Sequence, residues 1–126
     1  MLDAIVKHAR EGAPNEACGL IAAADGRAVK FYPIRNADAS PVHYNMDSQE
    51  QLQAMLDMDD NNWELGGIYH SHTHTRAQPS ATDVELAAYP EALYIIVSLA
   101  YEPDVEVRGF HIKGGVIEDA ALEIED

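Results

Sequence analysis

Three histidines lie at alternate positions in one short segment, at His70, His72 and His74, and Ser80 and Asp83 follow within the length of a loop. An apolar segment runs directly into the first histidine. In a β-strand, side chains two positions apart point to the same face, about 6–7 Å apart along the chain, so two of these imidazoles can close on one metal ion. An aspartate from a following turn can supply a third ligand and leave a fourth position for water. These residue types in this order are typical of a hydrolytic zinc site.

Asp83 also has a purely structural interpretation. The pattern Ser80-x-x-Asp83 matches a capping box, in which Ser80 is the N-cap of a helix. The two interpretations are compatible, because a capped helix would fix the direction in which Asp83 points. Other hydrolytic templates do not match, since the chain has no H-E-x-x-H and Ser80 lies outside any G-x-S-x-G elbow.

A hydrolytic zinc site also needs a carboxylate that is not a ligand, to take a proton from the nucleophilic water. The chain has 22 acidic residues, so composition does not select one of them. Glu16 stands out because it opens an apolar segment, Ala17 to Ile21, that is predicted to form a strand. A carboxylate at the entry of a buried strand is either a solvated strand end or a functional group, and both interpretations stay open at this point.

Composition limits the classes of function. The chain of 126 residues is long enough for one domain, predicted over residues 1–126, and its net charge is −14. A surface of that charge repels phosphate, so we expect no nucleic-acid partner and no binding to anionic membranes. Cys18 is the single cysteine, which excludes an internal disulfide and predicts a reducing compartment. The N-terminus lacks a signal-peptide pattern and no apolar run approaches the roughly 20 residues of a membrane span, so we expect a cytoplasmic protein.

Periodicity and turn residues predict the elements that position these side chains. In chain order they are a helix over 2–11, strands over 18–24 and 29–34 joined by an Asp25-Gly26 turn, a short strand over 43–46, a helix from 47 or 48 to about 60, a strand over 63–69, a helix between Pro79 and Pro90, and strands over 93–99, 105–112 and 116–124. In the second helix, Leu52, Met55 and Leu56 are predicted to face inward. The strand over 63–69 is predicted to lead into a loop that carries the histidines. The fold class is therefore α/β (α+β), a single domain in which helices flank a central mixed β-sheet.

The full pattern resembles the JAMM, or MPN-plus, metalloprotease family. Its motif is a distant glutamate, then H-x-H, seven residues, S, two residues and D. The segment His70-Ser71-His72, residues 73–79, Ser80 and Asp83 match this motif without a gap, and Glu16 stands at the beginning of the first predicted strand. The order of the predicted elements also agrees, so the resemblance extends over nearly the whole chain.

The resemblance selects between the two histidine pairs. The seven-residue gap selects His70 and His72, which leaves His74 outside the motif, as either an exposed neighbour or a contact to the ligands or the substrate. Thr73 occupies a position where the family commonly has proline, so the loop is expected to be less preorganised. Cys18, two residues after the glutamate, is expected to be a small buried filler, with a role as an extra ligand or redox brake as the alternative.

The resemblance implies an MPN/JAMM fold, similar to the cytidine-deaminase-like architecture, and one Zn²⁺ per chain. The implied ligands are His70, His72 and Asp83. Glu16 would act as the base, and Ser80 would donate a hydrogen bond to the oxyanion that forms during hydrolysis.

The chain is similar to a small bacterial branch of the family that frees cysteine from a ubiquitin-like sulfur-carrier protein with a Gly-Gly tail. The resemblance implies a peptidase for such a carrier, whose extended tail would lie in a groove with residues 36–45 as a candidate rim. One alternative is a JAMM hydrolase that trims a carrier precursor or acts on desampylating- or deubiquitinating-type substrates. The other is a non-catalytic MPN scaffold module, although such modules typically lose ligands that this chain retains.

Overall fold

The computed structural model describes residues 1–120. Within that range, three helices and six strands follow one another along the chain. Their bounds are α1 Leu2–Gly12, β1 Cys18–Ala24, β2 Arg27–Ile34, α2 Ser48–Asp60, β3 Glu64–His72, α3 Ala81–Leu86, β4 Leu93–Ser98, β5 Glu106–Lys113 and β6 Val116–Ala120. None of the described helices combines the length and the apolarity needed to span a bilayer.

The strands form one mixed sheet in the order β2-β1-β3-β4-β5-β6. The central pair, β3 and β4, is parallel, and the other neighbouring pairs are antiparallel. Because side chains alternate between the two faces of a sheet, Ile21 and Tyr69 pack in a core with α1, whereas Leu20 and Ile68 pack in a second core with α2. The predicted central mixed sheet with flanking helices is confirmed.

Strand β3 extends through both motif histidines, and the prediction that they lie in a loop after the strand is wrong. His70 lies opposite Cys18 of β1 and Ile96 of β4, and His72 lies opposite Ser98 of β4. The ladder with β4 pairs the backbone of both residues and the ladder with β1 also pairs His70, although polar side chains carry no local strand signal. The two imidazoles therefore project from the centre of the sheet.

Helix α2 has the predicted bounds, and the Asp47 carboxylate caps it by accepting from the Glu50 amide. Its predicted inward face is wrong for the two leucines, since Leu52 is 52% and Leu56 is 50% exposed. Met55 is partly buried against the core, as predicted.

The face of α2 that meets the sheet carries Ala54 and Met58 instead. The short alanine side chain permits a close approach to the sheet, and Asp57 on the same side accepts hydrogen bonds from Lys30 and Tyr32 of β2. Helical spacing is compatible with either face, and contact with the sheet decides between them.

Two further predicted elements differ from the structure. Residues 43–46 do not form a strand, and a single bridge joins Met46 to Asn36. Helix α3 ends at Leu86, well before Pro90, and the amides of residues 88 and 89 donate to the Tyr94 hydroxyl instead of continuing a helix. The last predicted strand is described as β6, and its predicted extension to residue 124 lies outside the described residues.

Candidate metal centre

Three side chains converge at the carboxyl end of β3. The Nε2 atoms of His70 and His72 lie 3.1 Å apart, and each lies 3.1 Å from Oδ2 of Asp83. Zinc bonds of about 2.0–2.1 Å place tetrahedral ligand atoms about 3.3–3.4 Å apart, which is close to this triangle. Lone pairs that face one another at these distances repel unless a proton or a cation lies among them. Nitrogen, nitrogen and carboxylate oxygen are a ligand set that suits Zn²⁺ and leaves a fourth position open.

The strand positions both histidines, and a backbone carbonyl orients the second one. His72 Nδ1 lies 3.0 Å from the carbonyl oxygen of Arg76. Because a carbonyl only accepts, Nδ1 carries the hydrogen and the Nε2 lone pair of His72 faces the cluster. This hydrogen bond is the usual way in which a protein fixes the tautomer of a metal-binding histidine.

His70 is held mainly by packing. It is 1% exposed, and the Tyr44 ring stacks on its imidazole at 4.7 Å between centroids. Its Nδ1 atom is buried without a hydrogen-bond partner among the described residues. Burial lowers the pKa of His70, and the neighbouring Asp83 offsets only part of that effect. The neutral form is the one that a metal ligand requires.

Asp83 takes part in both arrangements that the sequence predicts, the capping box and the cluster with the two histidines. The Ser80 hydroxyl accepts from the Asp83 amide at 3.1 Å, and the Ser80 amide donates to Asp83 Oδ2 at 2.8 Å. The capping box is therefore formed, and the same carboxylate completes the triangle. Burial opposes ionisation of Asp83, but the adjacent imidazoles of His70 and His72 outweigh this effect and hold the pKa of Asp83 well below its usual range.

Glu16 is a buried carboxyl beside this cluster, and it lies two residues before β1 begins. The residue is 6% exposed, and its Oε1 atom has no hydrogen-bond partner among the described residues. Burial raises its pKa to about 7, with smaller and opposing contributions from His72 and Asp83. Such a carboxyl exchanges its proton near neutral pH, which is the property that a general base needs.

Ser80 lies at the exposed entrance of the cluster. Its hydroxyl oxygen accepts the capping hydrogen bond, and a hydroxyl group carries one hydrogen of its own. The capping role therefore leaves the Ser80 hydroxyl hydrogen free to donate to a substrate oxygen.

The two remaining predicted residues lie outside the triangle. His74 is exposed, and its Nδ1 atom lies 2.9 Å from Oγ1 of Thr73. Cys18 is fully buried, its thiol donates to the carbonyl of Ile34 at 3.4 Å, and burial raises its pKa to about 12. These environments support the exposed-neighbour interpretation for His74 and the filler interpretation for Cys18.

Three residues near the site make supporting contacts that the sequence does not predict. Thr73, in the position of the expected proline, places its hydroxyl 3.2 Å from the carbonyl oxygen of Pro14 and so ties the loop after β3 to the segment before Glu16. Tyr44 and Asn36 contact the site from the loop formed by residues 36–46, which we call the rim loop. The Asn36 amide group donates to the Glu16 carbonyl at 3.0 Å. No local sequence pattern predicts these contacts, because each joins segments that are distant in the sequence.

A cavity of about 210 Å³ opens beside Asp83. Its lining includes Tyr44 and Met46 of the rim loop, and Leu86 and Tyr89 from the region of α3 and the segment after it. From the predicted rim at residues 36–45, His43, Tyr44 and Asn45 line the cavity. The lining is mainly aliphatic and aromatic, which suits an extended peptide with small or apolar side chains.

Comparison with known proteins gives concordant matches. Residues 1–110 match the model of prokaryotic homologs of the JAB domain. The chain is 40% identical over 126 residues to the CysO-cysteine peptidase of Mycobacterium tuberculosis, covering 98% of this chain and 86% of that protein. It is 34% identical over 130 residues to a desampylase of Haloferax volcanii, covering 98% and 91%. A solution structure of a protein from Desulfitobacterium hafniense superposes with a TM-score of 0.88 at 39% identity, covering 99% and 88%.

Proposed function

This chain belongs to the prokaryotic JAB family and is a JAMM-type hydrolase, and we propose that it is a zinc-dependent peptidase that removes a C-terminal cysteine from a ubiquitin-like sulfur-carrier protein. The observation that carries this proposal is the triangle of His70, His72 and Asp83 with a buried Glu16 beside it. A scaffold module has no need of this arrangement, which places buried ionisable groups together at a cost in desolvation.

The proposed metal ligands are His70, His72 and Asp83, which would hold one Zn²⁺ per chain. When bound, the ion lowers the pKa of a water toward about 7 and polarises the scissile carbonyl. Each ligand atom already points toward the others, so little rearrangement is needed for binding.

Glu16 is proposed to carry the proton. With a pKa near 7, its carboxylate takes a proton from the nucleophilic water and delivers it to the departing amine, after which the base is ready for another cycle. Its burial keeps bulk water from competing for the same proton.

Ser80 is proposed to stabilise the oxyanion. Its hydroxyl hydrogen is not used by the capping box, so it can donate to the carbonyl oxygen as negative charge develops there. The loss of such a donor typically lowers kcat about 10²- to 10³-fold.

The proposed substrate is a carrier whose tail ends in Gly-Gly before the residue that is released. The Mycobacterium tuberculosis relative is named as a peptidase for CysO-cysteine and aligns over nearly the whole chain. The apolar cavity beside Asp83 suits an extended tail, and an extended peptide gains affinity from main-chain contacts without requiring large side chains. With one cysteine and a strongly acidic composition, we place this activity in the cytoplasm, without nucleic-acid or membrane partners.

A second substrate class is supported by the similarity to a desampylase. In that alternative the enzyme would cut a carrier from another protein, or trim a precursor of the carrier. The chemistry at His70, His72 and Asp83 would be the same, and only the released group would differ.

The test uses purified protein loaded with one equivalent of zinc and two substrates. One is a ubiquitin-like carrier extended by a single cysteine after its Gly-Gly terminus, and the other is the same carrier joined to a lysine side chain. Mass spectrometry should show loss of one cysteine residue from the first substrate and slower cleavage of the second. Faster cleavage of the lysine conjugate would establish the desampylase-type alternative, and no cleavage of either would contradict the proposed function.

A further inference from the structure

We propose that Asn36 is a positioning residue, which holds the general base Glu16 in place through the rim loop and so links the substrate cavity to the base. This inference rests on the proposed function. Asn36 is not one of the residues that the motif selects, and it does not touch the metal triangle.

The amide group of Asn36 is fully used in hydrogen bonds. Its Nδ2 atom donates to the carbonyls of Glu16 at 3.0 Å and His43 at 3.1 Å. Its Oδ1 atom accepts from the amides of Asp38 at 3.1 Å and Asn45 at 3.0 Å. Two carbonyls on one side and two N–H groups on the other determine the orientation of the amide unambiguously. Only asparagine has both sets of groups on so short a side chain.

The rim loop forms hydrogen bonds with both backbone groups of Glu16, its amide and its carbonyl. The Glu16 amide donates to the carbonyl of Ser40 at 2.8 Å, and the Glu16 carbonyl accepts from Asn36. Both partners belong to the rim loop, so the backbone position of the base depends on that loop. Since Oε1 of Glu16 has no hydrogen-bond partner among the described residues, the backbone contacts have the larger share in fixing where the carboxyl lies.

The same loop reaches the metal ligands and the cavity. Tyr44 stacks on His70, and Tyr44 and Met46 line the cavity beside Asp83. Asn36 closes the base of this loop through its contacts to residues 43 and 45. A substrate tail in the cavity would therefore contact the rim loop, and Asn36, which stabilises that loop, also holds the base Glu16.

This arrangement predicts an effect on turnover rather than on binding. A misplacement of about 1 Å at a reacting group can lower the rate about 10²-fold. Removing the donation from Asn36 to Glu16 should therefore lower kcat about 10- to 100-fold, whereas KM should change less than about threefold in Asn36→Asp, which keeps the contacts of Oδ1 within the rim loop.

The test compares Asn36→Ala and Asn36→Asp with Asn61→Ala. Asn36→Asp keeps the two acceptor contacts within the loop but removes both donations. Asn61 makes one comparable side-chain contact, to the carbonyl of Asp57 at the end of α2, so Asn61→Ala controls for the loss of an ordinary hydrogen bond. Each zinc-loaded variant is assayed on the carrier extended by cysteine, and amide hydrogen exchange is measured on the metal-free proteins.

Both Asn36 variants should lose kcat and should show faster exchange at residues 15–17, while Asn61→Ala should match the wild-type protein in both measurements. Wild-type kcat in Asn36→Ala, or a loss confined to KM, would overturn the proposal. An Asn36→Asp variant with normal kcat and normal exchange would also overturn it, because the loop contacts through Oδ1 would then suffice. If zinc-loaded wild-type protein cleaves nothing, the proposed function fails, and the exchange at residues 15–17 still decides the role of Asn36.

Discussion

The hydroxyl oxygen of Ser71 accepts a hydrogen bond from the amide of Ala17 at 2.8 Å, and the Ser71 amide donates to the Ala17 carbonyl at 2.9 Å. The two residues lie 54 positions apart in the sequence. Ser71 stands between the two motif histidines, and Ala17 follows Glu16. The two hydrogen bonds between Ala17 and Ser71 therefore help to set the position of the proposed base relative to the proposed metal ligands.

Ser71→Ala should weaken both stability and activity. Ser71 is fully buried, so the substitution leaves the Ala17 amide without its side-chain acceptor, at a cost of about 1–3 kcal/mol in the free energy of unfolding. Denaturant unfolding measures that loss, and kcat should fall because the segment that carries Glu16 is held less firmly. Ser48→Ala, at an exposed position in α2, is the control and should change neither quantity appreciably. Unchanged unfolding of Ser71→Ala would show that the contact contributes no stability.

Glu16→Gln should bind zinc as the wild-type protein does and yet lose activity. Glutamine has the same shape but cannot accept the proton from the nucleophilic water, and loss of a general base typically lowers the rate about 10²- to 10⁴-fold. Metal analysis and kcat on the carrier extended by cysteine are measured on the same sample. Normal turnover by this variant would mean that another group is the base.

The contribution of Glu16 to the stability of the metal-free protein should fall as the pH rises from about 4.5 to about 7. Burial raises the pKa of Glu16 from an ordinary value of 4.5 to about 7, so in this window the folded state binds more protons than the unfolded state does. Stability is then fully present below the unfolded pKa and is lost as the pH rises through the folded pKa. The Asp83 carboxyl, whose pKa is lowered, contributes its pH dependence at lower pH.

Glu16→Gln is the matched variant for this pH dependence. Chemical denaturation across the window in the presence of a chelator should show the free energy of unfolding of the wild-type protein falling, relative to that of the variant, as the pH rises. Parallel curves for the two proteins would mean that Glu16 titrates normally in the folded state.

His72→Ala should lose the metal, and His74→Ala should keep it. Both substitutions remove an imidazole from the same segment, but only His72 lies in the triangle with His70 and Asp83. Zinc content after dialysis should stay near one equivalent in His74→Ala and should fall below about a tenth in His72→Ala. Loss of zinc from His74→Ala with retention in His72→Ala would reverse the choice of histidine pair.

Cys18 should resist alkylation in the folded protein. Its thiol is buried, and burial raises its pKa from an ordinary value of 9.0 to about 12, so the reactive thiolate is scarce at pH 8. A thiol reagent at pH 8 should label denatured protein within minutes and native protein far more slowly, and the single cysteine makes the signal unambiguous. Rapid labelling of native protein would indicate that the segment around Cys18 opens.

Much of the site was predictable because its parts are local. Alternation along a strand places the side chains of His70 and His72 on one face whatever surrounds them. The capping box between Ser80 and Asp83 follows from the geometry of a helix beginning, and it aims the carboxylate at the histidines in the structure. The resemblance to a known family added Glu16, which local sequence alone left open between two interpretations.

Local sequence is enough to identify the residues that can bind a metal, because spacing along a strand or a helical turn is set by the backbone of a few neighbouring residues. Only the folded chain shows which other residues contact these candidate ligands and fix their positions. In the folded protein, α2 packs through Ala54 and Met58 and not through the two leucines. Strand β3 includes both motif histidines, and Asn36 contacts Glu16. These outcomes depend on contacts between segments far apart in the chain, and burial and hydrogen bonding across such distances follow from the assembled sheet and not from any local pattern.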